Sequence, residues 1–148
     1  MEIRELDIEH DFDSFFRVWR EVGWIEDKDK DKKALKIFQE GSKSLVADID
    51  GAVEAYVNST PGKFQYLDKE LDLQAITAVM VSRIARKQRI ASKITAKAIA
   101  DQALEGAQVS CLGMFEQGFY NKLGFGTGNY ENIFRLDPAH LQIDYKPA

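Results

Sequence analysis

A basic segment interrupts an otherwise acidic chain. The sequence has 148 residues and a net charge of −4, yet residues 73–100 contain six cationic side chains and no acidic one. Arg86, Lys87 and Arg89 fall where a helix is predicted to begin. The free N–H groups and the macrodipole at that end of a helix favour anions and disfavour added cations. The segment is therefore typical of a site for a phosphate-bearing ligand.

A strand before the segment and a helix after it would position these cations. Apolar residues dominate both faces of residues 71–81, which predicts a central strand. Helical spacing over residues 90–104, ended by Gly106, predicts the helix. Further on, we expect a buried strand at 109–112, a short helix at 115–123 closed by Gly124, and a last strand at 130–136.

The preceding half of the chain is predicted to add two helices and the remaining strands. Residues 3–8 alternate as a short strand, and His10 or Asp11 is expected to cap an amphipathic helix that ends before Gly23. Residues 26–33 carry charges of both signs and are interpreted as a solvated linker or a loop over a substrate cleft, followed by a helix at 34–40. Strands at 44–49 and 52–58 would form a hairpin through Asp50-Gly51. We expect residues 60–62 to break the chain, with a strand or loop at 64–67.

The order of these elements predicts an α/β (α+β) fold. A mixed, mostly antiparallel central sheet would have helices on both faces, within a single domain of residues 1–148. The N-terminus has no apolar run that would indicate a signal peptide or a membrane span. One cysteine, Cys111, excludes a disulfide framework and favours a reducing, cytoplasmic location. The acidic total argues against general nucleic-acid binding.

Two motifs together resemble a known superfamily. They are VMVSRIARKQRIAS at residues 79–92 and, after a predicted helix and strand, GFYNKLGFG at 118–126. The pair resembles the Gcn5-related N-acetyltransferase (GNAT) superfamily, and is most similar to the N-terminal domain of enhanced intracellular survival type acetyltransferases. The resemblance implies a GNAT-like fold and an acetyl-CoA-dependent N-acetyltransferase. Its acceptor would be a primary amine of a small molecule or of a lysine side chain.

The resemblance also implies which residues bind acetyl-CoA (coenzyme A). The superfamily's pyrophosphate loop is similar to Arg86-Lys87-Gln88-Arg89-Ile90-Ala91, followed by Ser92, and Val79 and Val81 would pair with the pantetheine amides as an added strand. Arg89 stands where the family usually has glycine. Either its backbone accommodates a side chain or phosphate approach is hindered, and a required positive φ would cost an arginine about 1 to 2 kcal/mol.

Tyr120, in GFYNKLGFG, is the general acid that the resemblance implies. A tyrosine pKa near 10 keeps the hydroxyl protonated at neutral pH, although Tyr120 could merely pack under the last strand. Glu54, Asp72 and Glu116 are candidate general bases, and each is more often a surface carboxylate. In the related multidomain proteins a C-terminal carboxylate from later domains is implicated, so the chain could be an isolated module, a fragment or a relative that uses another base.

Other interpretations remain open from the sequence. The protein could be a non-catalytic module that binds CoA or a protein partner, or the basic segment could be a solvated helix start without a ligand. A nucleic-acid surface would need aromatic residues among the cations, and they are absent there. Exposed sheet edges could pair in a homo-oligomer. Acids in the loops at 26–33 and 63–72 would suit a cationic amine.

Few other residues indicate chemistry. His10 and His140 have no metal-ligand spacing, and Cys111 is interpreted as a buried small hydrophobe. Trp19 is expected in the core, and Trp24 in the core or in a cleft wall.

Overall fold

A central sheet organises the chain in the computed structural model, which describes residues 1–26, 28–114, 116–128 and 133–140. Within these ranges the strands are β1 (Glu2–Glu5), β2 (Lys43–Ile49), β3 (Ala52–Tyr66), β4 (Lys69–Val81) and β5 (Val109–Cys111). The helices are α1 (Ile8–Glu21), α2 (Asp29–Phe38), α3 (Ile90–Leu104) and α4 (Gln117–Asn121), with 3-10 turns at Arg83–Ala85 and Pro138–His140. Strands β1 to β4 pair antiparallel in chain order, and β5 pairs parallel to β4. The mixed, mostly antiparallel sheet is confirmed.

Helices cover both faces of this sheet, as predicted. On one face α1 and α2 pack around Phe15, Trp19 and Leu35, together with Tyr56 of β3. On the other face α3 packs through Ile94 and its neighbours against the small and branched residues of the strands. Both faces of the central strands are therefore buried. This explains why successive residues of these strands, which point to opposite faces, are both apolar.

The predictions around the basic segment and the β2–β3 hairpin are confirmed. Helix α3 begins at Ile90 and ends at Leu104, with Gly106 at a φ of 105° just beyond it. Asp50 and Gly51 both adopt positive φ in the hairpin, at 54° and 83°. That conformation is what a two-residue turn between twisted strands requires.

The predicted boundaries of the first two helices are wrong. Strand β1 ends at Glu5, and Asp7 caps α1 by accepting hydrogen bonds from the N–H groups of Glu9 and His10. Asp11, one of the two predicted caps, is instead buried inside the helix. Helix α2 begins at Asp29, within the segment interpreted as a linker or loop, because acids in its first turn suit the helix dipole.

The predicted break at residues 60–62 is also wrong, because β3 continues through Pro61 to Tyr66. Strand β2 pairs with β3 only as far as Ser59, so Pro61 lies on a strand edge where its missing N–H is tolerated. Further along, residues 63–72 form a two-stranded ribbon of β3 and β4, in which Phe64 and Tyr66 are exposed.

Some predictions for the end of the chain are wrong, and others lie partly outside the described residues. Cys111 is exposed, which contradicts its interpretation as a buried hydrophobe, because β5 is a short edge strand. The predicted last strand falls partly on residues 129–132, outside the described ranges, and residues 133–136 are not in a strand. The predicted fourth helix is shorter than expected, and its first residue also lies outside those ranges.

Two kinds of feature are absent from the described residues. No helix there is long and apolar enough to cross a bilayer. No group of three potential metal-ligating side chains is found within the same ranges.

Candidate functional site

The basic segment forms a hollow at the beginning of α3. Its cavity volume is about 310 Å³, and its walls include Val81 of β4, Phe119 of α4 and residues of the segment itself. The lining residues from the segment are Arg86, Lys87, Arg89, Ile90, Ala91 and Ser92. The structure thus brings together every predicted phosphate-loop residue except Gln88, whose side chain donates to the carbonyl of Ile84 at 3.2 Å.

The backbone of Arg89 adopts the conformation that a glycine would favour. Arg89 is the N-cap of α3 with φ 59° and ψ 19°, in the left-handed region, and Lys87 also has a positive φ of 63°. Non-glycine residues pay a steric penalty there, and such penalties concentrate at functional sites. The departure from the family glycine therefore changes the side chain at this position but keeps a glycine-like turn.

The charges in the hollow are not neutralised by any described residue. Within the part of the chain that the structure describes, Arg86, Lys87 and Arg89 form no ion pair, and no side chain caps the N–H groups at the start of α3. A helix N-terminus that no side chain caps, with unpaired cations around it, is a favourable environment for an anionic group. The donor set fits a pyrophosphate.

Strand β4 presents an open edge next to this hollow. It pairs with β5 through Leu73–Val109, Gln74–Ser110 and Ala75–Cys111, and from residue 76 to 81 no described strand continues that side of the sheet. Backbone groups of this edge can pair with an extended ligand, as in β-strand addition. The carbonyl of Val81 already accepts a hydrogen bond from Nε of Arg86 at 3.4 Å. Val79 and Val81, the two predicted pantetheine partners, both lie in this open section.

A β-bulge distorts the same section of β4. Tyr56 pairs with Met80 and Asn58 with Thr77, so Val57 of β3 opposes two residues of β4, Ala78 and Val79. Ala78 has a positive φ of 50°. Bulges bend a strand and re-aim its groups, and they are frequent next to active sites.

Beyond the bulge lies a larger cavity with aromatic walls, which we call the aromatic cavity. Its volume is about 560 Å³, within the range of small-molecule sites. One wall is the bulged part of β4, and the opposite walls come from α1, the loop after it, α2 and α4. The lining residues are Trp19, Gly23, Trp24, Phe38, Ile76, Thr77, Ala78, Val79, Gly113 and Tyr120.

Tyr120 faces the aromatic cavity from α4. Its ring makes edge-to-face contacts with Phe119 and Phe125, at centroid distances of 4.9 and 6.0 Å. Partial burial raises the pKa of the Tyr120 hydroxyl above its ordinary value. The hydroxyl therefore stays protonated at neutral pH, as a proton donor must.

The three candidate bases do not line the aromatic cavity. Glu54 is buried and accepts a hydrogen bond from Arg17 at 2.8 Å. Asp72 pairs with Lys63 of the ribbon at 2.7 Å, and the Glu116 carboxylate caps α4 by accepting from the Gly118 N–H. Each carboxylate thus has a structural partner.

The aromatic walls combine one residue that the sequence suggested with two whose role it missed. Trp24, predicted in the core or in a cleft wall, lines the cavity. Trp19 is buried, as expected for the core, but it also lines the cavity. For Phe38, the sequence indicates only a position in an amphipathic helix and no role in a cavity. The bulge at Ala78 depends on tertiary pairing and has no local sequence signal.

The chain belongs to the family described as acetyltransferase (GNAT) domain, whose family model matches residues 2–128. Among solved structures, a putative acetyltransferase from Agrobacterium tumefaciens is similar with a TM-score of 0.75 at 13% identity, over 92% of this chain and 100% of that one. Glucosamine-6-phosphate N-acetyltransferase from Arabidopsis thaliana has a TM-score of 0.71 at 16% identity, over 92% and 98%. A probable N-acyltransferase from Enterococcus faecalis has a TM-score of 0.74 at 20% identity, over 83% of this chain but 31% of that one. At these identities the likeness establishes the fold. A search of curated protein sequences finds no match.

Proposed function

We propose that the protein is an acetyl-CoA-dependent N-acetyltransferase that acetylates a primary amine. The observation that carries the proposal is that one strand edge joins two cavities of different chemistry. Val81 lines the basic hollow, and Val79 of the same edge lines the aromatic cavity beside Tyr120. A ligand with a phosphate group at one end and a reactive group at the other fits this layout.

Acetyl-CoA would be held by the residues of the basic hollow and by the open edge of β4. Arg86, Lys87 and Arg89 would contribute charge, and the N–H groups of Ile90, Ala91 and Ser92 would donate to pyrophosphate oxygens, with Gln88 completing the loop. The backbones of Val79 and Val81 would bond to the pantetheine amides. When bound, acetyl-CoA supplies the acetyl group as a thioester.

Tyr120 would act as the general acid. Transfer forms a bond between the acceptor nitrogen and the acetyl carbon and breaks the carbon–sulfur bond, so the departing thiolate needs a proton. The Tyr120 hydroxyl holds that proton, because burial raises its pKa. Since no carboxylate lines the aromatic cavity within the described residues, the proton from the acceptor amine would pass to water.

The proposal also includes the location, domain organisation, partners and subtype of the protein. We place the protein in the cytoplasm, as a single domain of residues 1–148 without nucleic-acid or membrane partners, and as a module similar to the enhanced intracellular survival type. The long exposed ribbon and the sheet edges are surfaces through which a homo-oligomer could form.

Calorimetric titration with coenzyme A tests the cofactor half of the proposal. We expect saturable binding that weakens with salt, and a variant carrying Arg86→Ala and Lys87→Ala should bind at least roughly tenfold more weakly. Lys30→Ala, an exposed cation on α2, is the control. Absence of binding at millimolar coenzyme A would contradict the proposal.

A non-catalytic CoA-binding module is the second candidate. The observation in its favour is that the three candidate bases all have structural partners and none lines the aromatic cavity: Glu54, Asp72 and Glu116. Coenzyme A binding without acetyl transfer to any amine would favour this second function.

A further inference from the structure

The proposed phosphate loop, residues 86–92, follows a short connection from β4. Ser82 comes directly after the strand and is buried, and its N–H donates to the carbonyl of Glu54 on β3 at 2.8 Å. The 3-10 turn at Arg83–Ala85 comes next, and Ala85 is also buried. The position of the phosphate loop therefore depends on what holds this turn.

A carboxylate of α1 holds the turn. The backbone N–H of Arg83 donates to Oε2 of Glu21 at 3.0 Å. The other carboxylate oxygen, Oε1, accepts from Nη1 of Arg17, one helical turn earlier. The Arg17 guanidinium is itself bound to β3, because its Nη2 donates to the Val53 carbonyl at 3.0 Å and to Glu54 at 2.8 Å. Glu21 thus connects the turn to two elements of the core, α1 and β3.

The remaining hydrogen bonds of residues 83–89 are local within the described part of the chain. Nε of Arg86 donates to the carbonyl of Val81 at 3.4 Å, and the Gln88 side chain donates to the carbonyl of Ile84 at 3.2 Å. These bonds shape the segment but do not attach it to another element. The hydrogen bond to the α1 carboxylate does attach it.

The phosphate loop has a conformation that needs such support. Lys87 and Arg89 both adopt positive φ, at 63° and 59°. A left-handed backbone is unfavourable for a residue with a side chain, and it persists where the surrounding structure enforces it. Ile90 and Ile94 are buried and fix α3 where the loop ends, while Glu21 fixes the turn before the loop. Held on both sides, the loop keeps the N–H groups at the start of α3 in place for an anion.

We propose that Glu21 is a positioning residue of the pyrophosphate site: its carboxylate, bound by Arg17, holds the Arg83 turn so that the phosphate loop keeps its binding conformation. This inference rests on the proposed function and adds a residue that lies outside both sequence motifs. Glu21 is an anion beside a site for an anion, so its charge alone would oppose ligand binding. A positioning role and a purely electrostatic role therefore predict opposite effects when the carboxylate is removed.

Calorimetric titrations with coenzyme A and with inorganic pyrophosphate separate the two roles. We expect Glu21→Ala to weaken the binding of both ligands by about three- to tenfold, because the Arg83 N–H loses its acceptor. Glu21→Gln keeps an acceptor for that N–H and should bind both ligands within about twofold of the parent. Tighter or unchanged binding in Glu21→Ala, or a Glu21→Gln variant as weak as Glu21→Ala, would overturn the inference.

Glu26→Ala is the matched control for the loss of a carboxylate. Glu26 lines the same surface hollow as Glu21, beside Arg83, and pairs with Lys28. We expect this variant to bind coenzyme A as the parent does or slightly more tightly. Weakening equal to that of Glu21→Ala would overturn the inference, because the effect would then not depend on the hydrogen bond to the turn.

Backbone order parameters from NMR relaxation of the ligand-free protein distinguish failure of this inference from failure of the proposed function. In the parent and in Glu21→Gln we expect values near about 0.85 for residues 84–89, and in Glu21→Ala values below about 0.6, with the strands unchanged as evidence of folding. Values that stay high in Glu21→Ala, or that are already low in the parent, would overturn the inference. If the parent bound neither ligand, the proposed function and the pyrophosphate assignment would fail, whereas the order parameters would still decide whether Glu21 holds the loop.

Discussion

Arg4 of β1 binds Asp11 of α1 through two hydrogen bonds, with Nη1–Oδ2 at 2.6 Å and Nη2–Oδ1 at 2.8 Å. The same guanidinium reaches Asp48 of β2 at 2.7 Å. The first strand, the first helix and the second strand are thus held by one cation. Because Asp11 is buried, the free energy of unfolding should depend on this pair.

We expect the contribution of the Arg4–Asp11 pair to the free energy of unfolding to be lost in acid. The hydrogen bonds from Arg4 lower the pKa of Asp11 from 3.8 to about 2. Because the folded pKa lies below the unfolded one, the stabilisation is complete above about pH 4 and is lost as the pH falls toward about 2. Asp11→Asn should reduce the free energy of unfolding at pH 7 by about 2 kcal/mol and flatten its dependence on pH in this window. Denaturant titrations at several pH values measure both, with the exposed Asp13→Asn as control.

Substitutions at Arg89 separate its charge from its backbone conformation. Arg89→Gly removes the left-handed strain and the charge, whereas Arg89→Asn removes the charge and retains a residue that tolerates this conformation. If the charge serves the ligand, both variants should bind coenzyme A more weakly by a similar factor of about three to ten. Tighter binding by Arg89→Gly would instead mean that the side chain hinders phosphate approach. Calorimetry measures the affinities, and thermal melts should place both variants near the parent stability.

Tyr120→Phe isolates the proposed acid. Loss of a general acid should lower kcat by about 100-fold, while the affinity for coenzyme A changes less than about twofold. Because burial raises the pKa of Tyr120, loss of this proton should lower the parent rate only at a pH above the range in which an ordinary tyrosine hydroxyl ionises. The exposed Tyr66→Phe on the ribbon should behave like the parent. An unchanged kcat in Tyr120→Phe would remove this residue from the mechanism.

Removing the partner of the buried Glu54 carboxylate should lower the free energy of unfolding. Arg17 donates to Glu54 Oε1, and within the described residues the Oε2 atom has no hydrogen-bond partner. Arg17→Ala should therefore reduce the free energy of unfolding by about 3 kcal/mol or more, because it strands a buried charge. The double variant Arg17→Met with Glu54→Leu should recover most of that loss in denaturant titrations. If the double variant were no more stable than Arg17→Ala, the cost could not come from the unpaired carboxylate.

The sequence predicts those parts of the molecule whose signals are local. Residues 71–81 and 90–104 have uninterrupted apolar patterns, so β4 and α3 were predicted with nearly correct bounds. The beginning of α2 was missed because its first turn consists of charged residues. Pro61 was misjudged because its tolerance depends on where β2 ends, which the sequence does not reveal.

The candidate site likewise contains residues with a local sequence signal and residues that only the fold brings together. The proposed phosphate loop and Tyr120 lie in motifs that are visible in the sequence. The aromatic cavity combines Trp19, Phe38 and Val79 with Tyr120, which are far apart in the chain and meet only when the sheet is assembled. The cavity could not have been predicted before the fold was known.

The open edge of β4 has a thermodynamic consequence, because both cavities share it. A ligand that shifts the bulge at Ala78 changes the wall of the aromatic cavity and the backbone leading to the basic hollow at once. Donor and acceptor affinities should then be linked, and linkage requires reciprocity: the factor by which the amine alters coenzyme A binding must equal the factor by which coenzyme A alters amine binding.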